Sequence, residues 1–229
     1  MPNILLINPN SSQATTDMMV LIAQDNAPAG YTVVGATAAN GPSMIVNEAE
    51  LAAAAGEVEA TWRNARGPHA GVIVSAFGDP GVAQVRDASG PTPVVGICEA
   101  SMFEAAEGGR RFGVATVTPD LVAAIDAKAQ ELGLGALYTG VRLTPGEPRA
   151  LTADSAALEQ ALGHAVQACL DDGAQAVIIG GGPLGQAAVS LARQFDVPII
   201  APISAAVRRL SRQIAGEGNT APQPHAVSG

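Results

Sequence analysis

Two cysteines, three histidines and 3% aromatic residues leave this chain short of the side chains that most often carry chemistry. Cys98 and Cys169 are too few for a disulfide scaffold in a chain of 229 residues. Neither has a CxxC partner or a histidine at zinc-ligand spacing, so no metal site is expected. No apolar run reaches the roughly 18 residues of a membrane span. The first residues read as a strand, without a basic region followed by a cleavage site, which makes the cytoplasm the expected location. Positive charge is also scarce: 12 Lys and Arg against 21 Asp and Glu give a net charge of −9. Phosphate backbones need clustered cations, and only Arg110–Arg111 and Arg208–Arg209 approach a pair, so nucleic acid is not an expected partner. No GxSxG elbow and no Ser/His/Asp grouping occurs. His69 precedes a strand, His164 falls on a polar helix face and His225 lies near the end of the chain.

What the chain has is aliphatic content: 48% apolar and 14% charged residues, enough for a sizeable core of Ala, Val, Leu and Ile. The length suits one large domain or two of about a hundred residues. Short β-branched runs alternate with Ala-rich helical stretches, the pattern of parallel α/β architecture. The expected strands are Asn3–Ile7, Thr32–Ala36, Gly71–Ser75, Val94–Ile97, Phe112–Val117, Leu137–Val141, Ala176–Ile179 and Val197–Ala201. Glu48–Arg66 and Ser155–Leu170 read as helices, the second with Leu158, Leu162, Ala165, Val166 and Cys169 on one face. Gly71–Ser75 matches Ala176–Gly180 at an offset of 105 residues (71 to 176), and Pro93–Gly96 matches Pro198–Ala201 at the same offset (93 to 198). Asn3–Ile7 corresponds to Phe112–Thr116 at 109 (3 to 112). The repeat predicts two pseudo-symmetric α/β halves, each with a four-stranded parallel sheet.

Ligands of open parallel sheets bind beyond the carboxyl ends of the strands. Two facing halves would bring four such ends to one cleft: Asn8–Ser12, Ser75–Pro80, Thr116–Pro119 and Gly180–Gly185. In the first, Asn10 and Ser11 with free amides at a helix start suit a carboxylate or imide carbonyl, while Ser12 also suits an N-cap. In the second, Asp79 is a general-base candidate beside Ser75, Ala76 and Phe77. Asp79 equally suits an Asx turn or a cap before a helix at Pro80. Thr116 and Thr118 offer hydroxyls, Thr118 also as an N-cap before Pro119. Gly180–Gly185 satisfies GxGxxG between a strand and a helix, yet no acidic residue follows at the end of the next strand, and a glycine-rich oxyanion cradle at Gly181 and Gly182 fits better than a dinucleotide. Glu99 is the other carboxylate near a strand end, able to cap a helix over Ala100–Glu107 or to reach the cleft.

The segments Ile7–Ser12 (INPNSS), Phe77–Gly81 (FGDPG), Gly96–Ala100 (GICEA) and Thr116–Pro119 (TVTP) resemble signature segments of hydantoin and allantoin racemases, within the aspartate/glutamate racemase superfamily. The similarity runs from about Asn3 to Ile214. It implies two flavodoxin-like halves with the site between them, no metal or organic cofactor, and assembly into homo-oligomers. It implies a first domain of residues 1–97 plus 205–216 and a second of 98–204, while the stretch over 217–229, rich in Gly, Pro, Ser, Asn and Thr without apolar periodicity, reads as a flexible tail. In that family two cysteines flank the substrate stereocentre, one removing the α-proton and the other returning one. Here those positions fall on Ala76 and Gly181, while Cys98 stands where the family commonly has a small residue. The resemblance thus points to a small hydantoin-like cyclic amide or amino-acid-derived carboxylate as substrate, isomerised with atypical bases, hydrolysed or cleaved, with Ser75, Asp79 and Glu99 as acid/base candidates. A catalytically inactive binder of small anions and a nucleotide-binding protein are the alternatives.

Overall fold

A computed structural model describes residues 1–216; the tail expected over 217–229 lies outside the described residues. Strands β1 (Asn3–Asn8), β2 (Thr32–Thr37), β3 (His69–Val74) and β4 (Val94–Gly96) form one sheet in the order β2-β1-β3-β4. Strands β5 (Phe112–Thr116), β6 (Tyr138–Leu143), β7 (Ala176–Ile179) and β8 (Ile199–Ile200) form the other, in the order β6-β5-β7-β8. Every pair is parallel, and the identical order is the three-dimensional form of the sequence repeat. Between the strands run α1 (Gln13–Asn26), α2 (Glu48–Asn64), α3 (Val82–Ser89), α4 (Ile97–Ala105), α5 (Val122–Glu131), α6 (Pro148–Thr152), α7 (Ser155–Asp171) and α8 (Gly185–Leu191), and α9 (Pro202–Ile214) follows β8.

Covered strands read as continuous apolar runs because both faces are buried, and β1, β3, β5 and β7 follow this rule. The edge strands β2 and β6 are partly exposed. Along β1, Ile4 and Leu6 join Ile73, Val95, Phe112, Val114 and Ile178 in a layer between the two sheets. The alternate residues Leu5 and Ile7 pack outward with Val72 and Val74 against Val58 of α2 and Val85 of α3, as the period of two requires. On the far side, Val177 and Ile179 pack against Leu158, Leu162, Val166 and Cys169 of α7. Helices α4 and α9 pack on each other; α4 continues onto β7 and β8, and α9 onto β3, β4 and α1. The closeness of α9 explains Gly71, where a methyl group would stand 2.7 Å from Leu210 Cδ1.

Several helix starts follow their capping residues. The side chain of Ser12 accepts from Thr15 N at 3.3 Å, that of Asn47 from Glu50 N at 2.9 Å and that of Asp154 from Ala156 N and Ala157 N, both at 3.1 Å. Two helix starts differ from expectation. Helix α3 starts at Val82 rather than Pro80, because the turn before it runs through left-handed Asp79 and Gly81 (φ 56° and 75°). Helix α4 starts at Ile97 rather than Ala100, directly off β4, so Cys98 belongs to a helix and not to a strand end.

Both cysteines are buried, Cys98 at 0% and Cys169 at 1% exposure. Burial raises the Cys98 thiol well above its ordinary value and pushes Cys169 up to about 12. Thiolates are the reactive form, so a colorimetric thiol reagent is expected to titrate no cysteine in the native protein and two after denaturation.

Candidate functional site

The ends of β1, β3, β5 and β7 enclose a cavity of about 40 Å³ between the halves. From the first half come Asn10, Ser75, Ala76 and Phe77, with Met44 and Ile45 from the segment before α2. From the second come Val117, Thr118, Leu121 and the run Gly180–Leu184. Not one of these side chains ionises near neutrality.

The polar atoms are fixed by local bonds. Asn8 Oδ1 accepts from Asn10 N at 3.0 Å, and Asn8 Nδ2 donates to Thr16 Oγ1 at 3.0 Å, which shapes the turn after β1. The Asn10 side-chain oxygen is buried and takes no donor among the described residues, so it is left over for a ligand. Ser75 Oγ donates to Ile7 O at 2.8 Å. Thr116 Oγ1 donates to Gly180 O at 2.7 Å and lies 3.2 Å from Thr118 Oγ1. With the Thr116 proton committed, Thr118 donates to Thr116, and the remaining lone pairs of Thr118 and Ser75 are the acceptors they offer the cavity. Among the described residues the N–H groups of Ala76, Phe77, Gly181 and Gly182 meet no protein acceptor. These four amides, two from each half, belong to residues that line the cavity and are available to a carbonyl or oxyanion.

Glycine is required here for two different reasons. Gly181 has φ 151°, a conformation side chains rarely adopt, and a Cβ there would come 3.2 Å from Leu184. Gly182 lacks space instead, since a Cβ would stand 2.7 Å from Met19 Sδ and 2.9 Å from Ser75 O. The GxGxxG run is thus packed against the first half, which does not suit a dinucleotide pyrophosphate. At the position where the resemblance puts the second thiol, a side chain would strain this backbone and press on Leu184.

Of the residues singled out in the sequence, Asn10, Ser75, Ala76, Phe77, Thr118, Gly181 and Gly182 meet at the cavity, and Thr116 stands directly behind Thr118. Thr118 precedes a short 3-10 turn at Pro119 and does not cap it with its side chain, because its hydroxyl faces Thr116. Three others lie outside the cavity lining. Ser11 is exposed and donates its hydroxyl to Gly41 O at 3.0 Å, because the capping turn at Ser12 rotates it outward. Glu99 does not line the cavity: it bonds Gly96 N at 3.3 Å as the third residue of α4 and pairs with Arg86. Asp79 lies behind the cavity, 6% exposed, its carboxylate accepting from Cys98 N at 2.8 Å and Glu99 N at 2.7 Å. Burial, then the nearby Glu99, push its carboxyl up to about 7, against the pull of those two amides. It caps a helix, but α4 rather than the one after Pro80. Met44, Ile45 and Leu121 were not expected and had no periodic or motif signal, whereas Leu184 lies within the expected Gly180–Gly185 loop. Among the described residues no three His, Cys, Asp or Glu side chains gather so as to hold a metal ion, and no helix is long and apolar enough to cross a membrane.

A family model described as Asp/Glu/Hydantoin racemase matches residues 4–210. A hydantoin racemase of Paenarthrobacter aurescens is 29% identical over 210 residues, 90% of this chain and 88% of that protein. A hydantoin racemase of Rhizobium meliloti is 30% identical over 220 residues, 94% of this chain and 90% of that one. The structure of an allantoin racemase from Klebsiella pneumoniae superposes with a TM-score of 0.87 at 27% identity, covering 100% of this chain and 97% of the other. That superposition extends over both halves of the chain, each with its parallel four-stranded sheet. The chain therefore belongs to the Asp/Glu/Hydantoin racemase family and, with it, to the isomerase class of enzymes.

Proposed function

We propose that the cavity binds a small hydantoin-like cyclic amide and polarises its carbonyl through the two amide pairs, with water rather than a thiol pair moving the proton. The observation that carries this reading is the lining without an ionisable side chain. An uncompensated carboxylate is costly to bury, so a neutral imide ring fits this lining better than a free amino-acid dicarboxylate. The Asn10 oxygen and the Ser75 and Thr118 lone pairs are placed to accept ring N–H groups. Each well-placed donor on a developing oxyanion contributes about 2.7–4 kcal/mol, which acidifies an adjacent C–H even where no side chain acts as base. The cavity has room for only a few waters, so ring entry displaces Met44 and Ile45. Several copies working together in the cytoplasm complete the proposal.

Hydrolysis or bond cleavage is the second reading, favoured by the same missing bases, since attack of a polarised carbonyl by water needs no thiol at the α-carbon. Proton NMR in D₂O with single enantiomers of 5-substituted hydantoins and allantoin separates the readings. Loss of the α-proton signal with connectivity retained is the expected result. New product resonances without exchange would replace isomerisation by cleavage. No change with any ring, together with no ligand-induced shift in the protein, would overturn the substrate class.

A further inference from the structure

We infer that Asp79 is a positioning residue, a clamp that ties the Ser75–Gly81 loop to the N terminus of α4 and thereby fixes the amide cradle from behind. The inference rests on the cavity being the substrate site as proposed above. Three features of different kinds converge on this side chain. Its backbone is the single non-glycine with positive φ among the described residues, at 56°, and asparagine and aspartate are the residues that tolerate that region best. Each carboxylate oxygen takes one helix amide, Oδ1 from Cys98 and Oδ2 from Glu99. The last residue of β4 makes room for it, since a Cβ on Gly96 would lie 2.2 Å from Asp79 Cγ and Oδ1.

The consequence for the cavity follows from the connections at each end. Asp79 N bonds Ala76 O at 3.1 Å, so the carboxylate holds the peptide units that aim the Ala76 and Phe77 amides. Helix α4 packs onto β7 and β8, and its Ile97 reaches within 3.7 Å of where a Cβ of Gly182 would stand. One side chain of the first half thus sets the spacing between amides contributed by both halves. Positional errors of about 1 Å in such groups cost on the order of a hundredfold in rate.

The clamp is also charge-sensitive. Facing Asp79 are Cys98 and Glu99 from α4 and Lys128 from α5, with Arg86 of α3 paired to Glu99. As an anion the carboxylate accepts both amides; protonated, one oxygen becomes a donor that faces an N–H. Because the folded value lies near 7, above the ordinary 3.8, Asp79 contributes stability that is fully present below about pH 4 and is lost as pH rises through about 7. Cradle geometry runs the other way and improves through the same range. Rising turnover with falling stability across neutrality is the signature of this clamp.

Asp79→Asn keeps the shape and the backbone tolerance but turns an NH₂ toward one helix amide. It is expected to lower kcat about 10- to 100-fold with KM changed less than about threefold, and to remove the step in turnover near pH 7. Gly96→Ala pushes the same carboxylate aside without altering it. It is expected to reproduce the loss, and the double variant to fall little further than either single one. Hydrogen exchange by mass spectrometry on the ligand-free protein reads the clamp without turnover: residues 75–81 and 97–99 should exchange faster in both variants, with β1 and β5 unchanged. Wild-type exchange in those segments, or a kcat unchanged in both variants, would overturn the inference. A wild-type protein inert toward every ring defeats the proposed function alone, because the exchange data still decide the clamp.

Discussion

Replacing Ala76 with cysteine is expected to speed α-proton exchange of a bound 5-substituted hydantoin by about 10²–10⁴, the usual contribution of a positioned acid or base. Ala76 lines the cavity and already carries a Cβ, so one sulfur atom is added at the place where the family resemblance puts its first thiol. The unpaired amides of Ala76, Phe77 and Gly182 favour a thiolate there, as helix N-termini do. By contrast with Cys98 and Cys169, the new thiol faces the cavity and should react with iodoacetamide in the native protein. A single base serves one face of the ring, so one enantiomer should exchange much faster than its mirror image. Adding Gly181→Cys should not supply the opposite base, because φ 151° and the nearby Leu184 force the loop to rebuild. Exchange in D₂O followed by NMR checks this. An Ala76→Cys variant whose new thiol alkylates, yet whose exchange is no faster than the parent's, would end the reading of the cavity as a carbonyl-polarising site.

Gly182→Ala is the second large effect, and it acts through space alone. The added methyl has Ser75 O, a backbone atom, at 2.9 Å and Met19 Sδ at 2.7 Å. Met19 sits on α1 with no exposure, and Ser75 O is backbone that a rotamer change cannot move. The β7 loop must therefore lift from the β3 loop, which separates the two amide pairs. Overpacking of this kind costs about 1–3 kcal/mol of stability. Ligand affinity should fall at least about tenfold, one factor of ten for each 1.4 kcal/mol of lost binding energy. Thermal melting and ligand titration by NMR measure the two separately. An unchanged affinity would show that the halves need not stay in this register.

How far the sequence reaches can be seen at individual residues. The repeat offset located the strands because each central strand is an apolar run between punctuating Gly, Pro and Asn, and the face of α7 that buries Cys169 follows from a 3.6 period. Both signals are local. The loops at the strand ends were legible for the same reason, as clusters of turn residues. Side-chain direction within those loops was not. Ser11 and Ser12 are adjacent and chemically alike, yet one caps α1 and the other faces Gly41, a matter settled by the capping turn. Asp79 and Glu99 both stand close to strand ends, and only the left-handed turn through Asp79 sends its carboxylate behind the cavity to α4. Met44 and Ile45 were invisible because their placement is long-range. Arg149 of α6, in the other half, donates to Met44 O at 3.3 Å and lies 3.8 Å from Glu50, which draws that segment over the cavity.

The crossing of α4 and α9 bears on how the chain is made. The first sheet is complete in sequence by Gly96, but its inner face, with Leu6, Ile73 and Val95, is covered in part by Ile203, Val207 and Leu210 of α9, the last helix described. Domains usually fold as units in order of synthesis. Here the first half leaves the ribosome about a hundred residues before the helix that seals it. Until then its apolar face is open to chaperones and to other nascent chains. Translation pausing near residue 200 would prolong that exposure, so yield in the cell should depend on the codons of the second half more than on those of the first.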